Sequence, residues 1–157
     1  MATLVLVRHA KSEWASPTAD DHDRPLNPRG LRDAPVMAAR LAASGVRPDA
    51  VLASTALRAR TTAGFFAEEF GVEAQLQERL YGAPAAVLLE AAVRAAVPTV
   101  LVVAHDPGMT VLAAALSDDG IGHMPTCGVA AFTWDTDDWI VASATPPASW
   151  RFDAPGR

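Results

Sequence analysis

The chain has 157 residues, half of them hydrophobic and 20% charged, which suits one domain with a single core and excludes wholesale disorder. Thirteen basic and 18 acidic residues leave a formal charge of -5, which argues against a broad nucleic-acid-binding surface but says nothing about charge in one cleft. The single cysteine, Cys127, excludes an internal disulfide.

The opening MATLVLVRHA contains a short β-branched and leucine run, Thr3 to Val7, which predicts a fully buried strand broken by Arg8 and His9. The run is too short to span a membrane and lacks the layout of a secretory signal, so the expected setting is cytoplasmic, with no membrane partner. A polar stretch from Lys11 to Pro25 reads as a long loop beside that break. Asn27 and Pro28 form a helix start, and Leu31, Ala34, Ala38, Leu41 and Ala42 recur at helical spacing until Gly45. Pro35 falls inside this run and predicts a kink or a late start.

Ala50 to Ala53 is a second short strand. A helix from about Ala56 to Phe70 follows, burying Leu57, Phe65 and Phe66 and stopping at Gly71. Val72 to Leu76 mixes charged and apolar residues, as an edge strand does, and Pro84 opens a helix through Ala96. Thr99 to Val103 is a buried strand ending at Ala104-His105, and Pro107 or Gly108 starts a helix to Leu116. Gly128 through Ala144 reads as two strands around an Asp135–Asp138 turn, and the proline-bearing tail reads as a covering strand or a loose end. Alternating strands and helices predict a three-layer α/β/α sandwich with a mostly parallel central sheet, formed by residues 1–157 as one domain.

Ligands of such folds collect beyond the carboxyl ends of the strands. Arg8-His9 follows the first strand, Arg58 the second and His105 the fourth, so three apolar strands deliver phosphate-compatible side chains to one edge. Taken singly, each has a plain structural reading. Arg8 would pair with an acid, and His9 or His105 would cap the sheet. Arg58 near a helix start is electrostatically misplaced unless an anion is beside it, and the turn after Asp106-Pro107-Gly108 offers N–H groups to a phosphoryl oxygen.

The combination resembles the histidine phosphatase superfamily, the phosphoglycerate-mutase-like fold. The resemblance rests on Arg8-His9-Ala10 with Lys11-Ser12-Glu13-Trp14, on Ser54 through Thr61 around Arg58, and on Ala104-His105-Asp106-Pro107-Gly108. Asp21-His22-Asp23-Arg24-Pro25-Leu26 followed by Arg29-Gly30 is most similar to the SixA-like phosphohistidine phosphatase branch. The resemblance implies hydrolysis through a covalent phosphohistidine on His9, with Arg8 and Arg58 binding phosphoryl oxygens and His105, if protonated, donating to the developing charge. It implies no cofactor and no metal; Asp20, Asp21 and Asp23 lack a convincing ligand arrangement. The implied partner is a phosphorylated protein or a small phosphorylated metabolite, and not nucleic acid. A pocket that binds phosphoprotein without turnover is the non-enzymatic alternative.

Two departures from the family bear on substrate. Ala15 stands where the mutase and broad phosphatase branches commonly carry a phosphate-binding asparagine, and the segment between the second and fourth strands lacks a large cap. Glu78, in Glu78-Arg79-Leu80-Tyr81-Gly82, resembles those branches' general acid, or else pairs with Arg79 or Arg60. Ser12 shapes the loop or contacts phosphate. Arg24 steers substrate or pairs with Asp21 or Asp23, and His22 reads as an exposed loop residue. Cys127 reads as packing near the site rim, and Trp14, Trp134, Trp139 and Trp150 as packing residues.

Overall fold

The computed structural model describes residues 1–14, 17 and 20–157. Its strands are β1 (Thr3–Arg8), β2 (Ala50–Ser54), β3 (Ala74–Gln77), β4 (Thr99–Ala104), β5 (Val129–Thr133) and β6 (Ser149–Asp153). Its α-helices are α1 (Pro28–Ala43), α2 (Leu57–Phe70), α3 (Ala85–Ala95), α4 (Gly108–Leu116) and α5 (Trp139–Ser143). The strands form one sheet in the order β3-β2-β4-β1-β5-β6. β3, β2, β4 and β1 run parallel, while β5 is antiparallel to β1 and β6 is antiparallel to β5.

Period-two geometry explains why β1, β2 and β4 read as unbroken apolar runs: each is buried on both faces. Leu4, Leu6, Leu52, Val100 and Val102 point to the layer of α3, α4 and α5. Val5, Val7, Val51, Leu101 and Val103 point to the layer of α1 and α2. The three-layer α/β/α sandwich with a largely parallel sheet follows directly from this double burial.

Helix α1 starts at Pro28, with the Asn27 side chain accepting the Gly30 N–H at 2.9 Å, so the start is not late. It runs through Pro35 without interruption. Pro35 is exposed, where the carbonyl it leaves unbonded faces water. The buried stripe is Gly30, Ala34, Met37, Ala38 and Leu41, while Leu31 lies outside it at 47% exposure. In α2 the small residues Ala59, Ala63 and Ala67 join Phe66 on the buried face, which leaves Leu57 and Phe65 half-buried rather than buried. Gly71 ends that helix at φ 66, a backbone conformation suited to glycine.

The expected second strand of the 128–144 segment is instead helix α5. The Asp138 carboxylate accepts the N–H groups of Ile140 at 2.9 Å and Val141 at 3.4 Å, a side-chain cap that overrides the strand propensity of Ile-Val. Trp139 and Ala142 then face the core, with the Trp139 indole donating to the Val97 carbonyl at 2.6 Å. The partner of β5 is the tail strand β6, which forms one edge of the sheet, as β3 forms the other.

Candidate active site

β1 and β4 are neighbours in register, Arg8 opposite Ala104, but the helices that follow them lie on opposite faces of the sheet. A crevice opens where the chain diverges in this way. His9 leaves β1 and His105 leaves β4 at that point, and their ring centroids lie 5.2 Å apart. The His9 backbone is clamped: its N–H donates to the Ala104 carbonyl at 3.1 Å, and its carbonyl accepts the Cys127 N–H at 3.1 Å.

The His9 ring is 6% exposed, and Nδ1 lies 2.8 Å from the Ala10 carbonyl oxygen. A carbonyl can only accept, so Nδ1 carries the hydrogen and Nε2 keeps a lone pair. Burial pushes the pKa of His9 down to about 4; the Ala10 bond opposes this, and the charges of Arg58, Arg8 and Arg24 reinforce it. His105 is 5% exposed, and its Nε2 lies 2.8 Å from the Ser54 hydroxyl. Burial, then the neighbouring His9 and Arg58, push its pKa down to about 3, so with protein groups alone around it His105 is neutral. The Asp106 carboxylate makes no hydrogen bond to the His105 ring among the described residues; it receives Thr110 hydroxyl and N–H hydrogens and lies 3.5 Å from Arg8.

The Arg8 guanidinium donates to the Met124 carbonyl at 2.9 Å. That of Arg58, near the start of α2, donates to the Asp21 carbonyl at 2.7 Å and to its carboxylate at 3.0 Å. Nε of Arg8, Arg24 and Arg58 is buried without a hydrogen-bond partner among the described residues. Orphaned donors on three cations suit an anion. Arg8, His9, Lys11, Ser12, Arg24 and Thr126 line a cleft of about 170 Å³. A second cavity, about 240 Å³, lies between α1 and β6, where Arg40 is already paired with Asp153 at 2.6 Å.

Of the sequence-predicted residues, the fold therefore gathers Arg8, His9, Arg58 and His105. The Glu78 side chain is exposed in a 3-10 turn, Glu78–Leu80, and makes no hydrogen bond or ion pair among the described residues. Arg79 pairs with Glu90 instead, at 4.0 Å, so the expected Glu78–Arg79 pair does not form. The backbone N–H groups of Met109 and Thr110 at the start of α4 are occupied by His105 and Asp106 rather than free for a phosphoryl oxygen. Arg24 pairs with Asp21 at 3.5 Å. His22 is half-buried, with Nε2 at 2.8 Å from the Thr55 hydroxyl, rather than a free loop residue. Ser12 forms a bridge with Leu26. Cys127 is fully buried, with its thiol pushed up to about 12 by burial. Trp134 and Trp139 pack in the core, but Trp14 is 88% exposed at the cleft mouth. Ala15 lies outside the described residues. No group of three or more His, Cys, Asp or Glu suited to a metal occurs among the described residues, and none of their helices is long and apolar enough to cross a membrane.

Sequence reasoning missed three side chains that organise the site. Tyr81 donates its hydroxyl to the Asp21 carboxylate at 2.6 Å and stacks edge-on to His105 at 5.5 Å. Ser54 touches His105, and Thr62 accepts the Ala10 N–H at 3.0 Å while donating to the Arg58 carbonyl at 2.7 Å. Thr62 stands four residues after Arg58, on the same face of α2, and that spacing was the available signal.

The sequence profile of the histidine phosphatase superfamily (branch 1) matches residues 4–83. An uncharacterized protein of Mycobacterium tuberculosis (strain H37Rv) is 44% identical over 115 residues, 71% of this chain and 70% of that protein. The crystal structure of a candidate phosphohistidine phosphatase SixA from Agrobacterium tumefaciens superposes with a TM-score of 0.81 at 30% identity, covering 98% of this chain and 99% of that one. A second SixA candidate, from Nakamurella multipartitia, gives 0.84 at 28% identity over 99% and 97% of the two chains. The chain belongs to the histidine phosphatase superfamily, in its SixA-like branch.

Proposed function

We propose that residues 1–157 form one histidine phosphatase domain that hydrolyses phosphohistidine, with His9 as the nucleophile. The observation that supports this reading is the hydrogen bond from His9 Nδ1 to the Ala10 carbonyl, in a buried ring whose pKa is about 4. It leaves a neutral imidazole with Nε2 ready to attack at pH 7. Nε2 forms a bond to phosphorus as the bond from phosphorus to the substrate imidazole nitrogen breaks. Water then attacks the phosphorus, releasing inorganic phosphate and restoring His9. Arg8 and Arg58 bind phosphoryl oxygens, and their fixed charges offset the charge that develops in transfer. No step calls for a metal or cofactor.

Access favours a protein substrate. An exposed Trp14 stands at the mouth of the cleft beside Lys11, whose amine lies 5.7 Å from the indole. The similarity to two SixA phosphohistidine phosphatase candidates supports the same reading. A small phosphoester or phosphoramidate is the second reading. It would employ Glu78 to protonate an alcohol leaving group, a step that an imidazole leaving group needs less.

Rapid mixing with a phosphoryl donor, followed by peptide mapping of acid-labile phosphate, tests the mechanism. We expect the adduct on His9, its loss in His9→Ala, and weaker phosphate binding in Arg58→Ala; a pocket that binds without turnover gives no adduct in the wild type. Rates on a phosphohistidine protein, phosphoramidate and sugar phosphates rank the substrates. With Glu78→Gln, ester turnover drops about a hundredfold while phosphohistidine turnover holds; equal ester rates overturn the role of Glu78.

A further inference from the structure

We infer that Ser54 sets the tautomer of His105, so that a neutral imidazole offers Nδ1–H to the phosphoryl group. This inference rests on the phosphatase reading for its purpose but on hydrogen-bond geometry for its content.

Ser54 ends β2 and is fully buried. Its Oγ lies 3.2 Å from the Ala56 backbone nitrogen, whose hydrogen it accepts, and 2.8 Å from His105 Nε2. A hydroxyl has one hydrogen to give and two lone pairs. If His105 Nε2–H donated to Ser54, the serine hydrogen would have no acceptor among the described residues, and His105 would present a bare lone pair at Nδ1. If Ser54 donates to Nε2, the serine is fully satisfied, and the hydrogen of His105 sits on Nδ1. Nδ1 is itself buried, with no hydrogen-bond partner among the described residues. An unpaired buried polar group is costly, so the second arrangement has fewer orphans, and its one open donor is the kind a phosphoryl oxygen completes.

His9 and His105 then share a tautomer and divide its two nitrogens between opposite roles. In His9 the hydrogen is held by Ala10, which leaves Nε2 as a base. In His105 the lone pair is occupied by Ser54, which leaves Nδ1–H as a donor. His105 does not need a proton from solvent to bind the phosphoryl group, and its low pKa, about 3, is then no obstacle to that role. Ser54 acts through His105 and is a positioning residue.

Two-bond proton–nitrogen correlation spectra of the full chain with 15N-labelled histidine, at pH 7, read the tautomer directly. His105→Asn assigns the signals. We expect a protonated Nδ1 and an unprotonated Nε2 on His105 in the wild type. In Ser54→Ala we expect a population with Nε2–H, and inorganic phosphate binding weakened about tenfold, the scale of one lost hydrogen bond to a charged ligand. Ser54→Thr, which keeps the hydroxyl, restores the wild-type tautomer. A wild-type His105 protonated on Nε2 overturns the inference, as does an unchanged tautomer in Ser54→Ala. The wild-type spectrum decides even if Ser54→Ala fails to fold. An adduct on His9 with the reversed His105 tautomer sinks this inference alone. The expected tautomer without any adduct sinks the phosphatase reading and leaves the role of Ser54 standing.

Discussion

Arg58 and Asp21 hold each other through two separate contacts: one guanidinium nitrogen donates to the Asp21 carbonyl at 2.7 Å, and another to its carboxylate at 3.0 Å. The Tyr81 hydroxyl bond holds the Asp21 carboxyl below its ordinary pKa against the opposing effect of burial, and the Arg58 guanidinium assists it. Arg58, itself buried, thus already faces a carboxylate, one that is half exposed and screened by water.

An incoming phosphoryl group meets repulsion from that carboxylate. Asp21→Asn keeps the backbone contact and removes the charge, so inorganic phosphate should bind roughly threefold more tightly, a modest gain because the carboxylate is screened. Inhibition constants for phosphate and tungstate in wild type and Asp21→Asn check this. Weaker binding would mean that Asp21 mainly holds Arg58 in place.

Thr62 links two motifs distant in sequence. It accepts the Ala10 N–H and donates to the Arg58 carbonyl, fixing the peptide that holds His9. Thr62→Val leaves a buried N–H unsatisfied and should lower stability by about 1–3 kcal/mol. It should also reduce kcat about tenfold, because a loosened nucleophile is misaligned. Thr62→Ser should recover most of both. A kcat equal to wild type in Thr62→Val would remove the link to His9.

Acid should destabilise the fold in a defined window. Folded His9 and His105 stay neutral to about pH 4 and about pH 3, whereas an unfolded histidine protonates near 6.5. Below pH 6.5 the unfolded chain therefore binds more protons, and stability falls by up to about 1.4 kcal/mol per pH unit for each histidine. Above 6.5 this contribution is fully present. Melting temperatures in phosphate-free buffer should drop steadily from pH 6.5 to 4, and less steeply in His105→Gln. After correction for substrate ionisation, kcat/KM should hold to about pH 5 and fall as His9 protonates near 4.

Gly30 is a point of close approach between α1 and the loop after His9. A Cβ there would lie 2.1 Å from the Lys11 carbonyl oxygen, so Gly30→Ala must push the helix start and the loop apart. We expect a loss of about 1–3 kcal/mol in denaturant unfolding, together with weaker phosphate binding. An unchanged denaturation midpoint would count against the contact.

The sequence revealed most where one physical signal dominated. Thr3 to Val7 and Thr99 to Val103 are short β-branched and leucine runs that suit a strand buried on both faces, and the charged or polar residues ending them marked the cleft. Ile140 and Val141 misled because strand propensity outweighs a single aspartate on paper, whereas in three dimensions the Asp138 cap and the docking of Trp139 decide. Pro35 was tolerated because it falls on the wet side of its helix. The contacts of Tyr81 with Asp21, Thr62 with Ala10 and Ser54 with His105 span 60, 52 and 51 residues, and no local periodicity announces pairings at that range.

The placement of His9 and His105 on adjoining, registered strands has a consequence for how such a protein diversifies. Both rings leave the ends of central, buried strands, while the described residues of the connection after β1 line the cleft and the turn bearing Tyr81 meets His105 edge-on. Lengthening either connection would redraw the outline that a client molecule must match without disturbing the two rings, so chemistry and clientele are free to evolve on separate schedules.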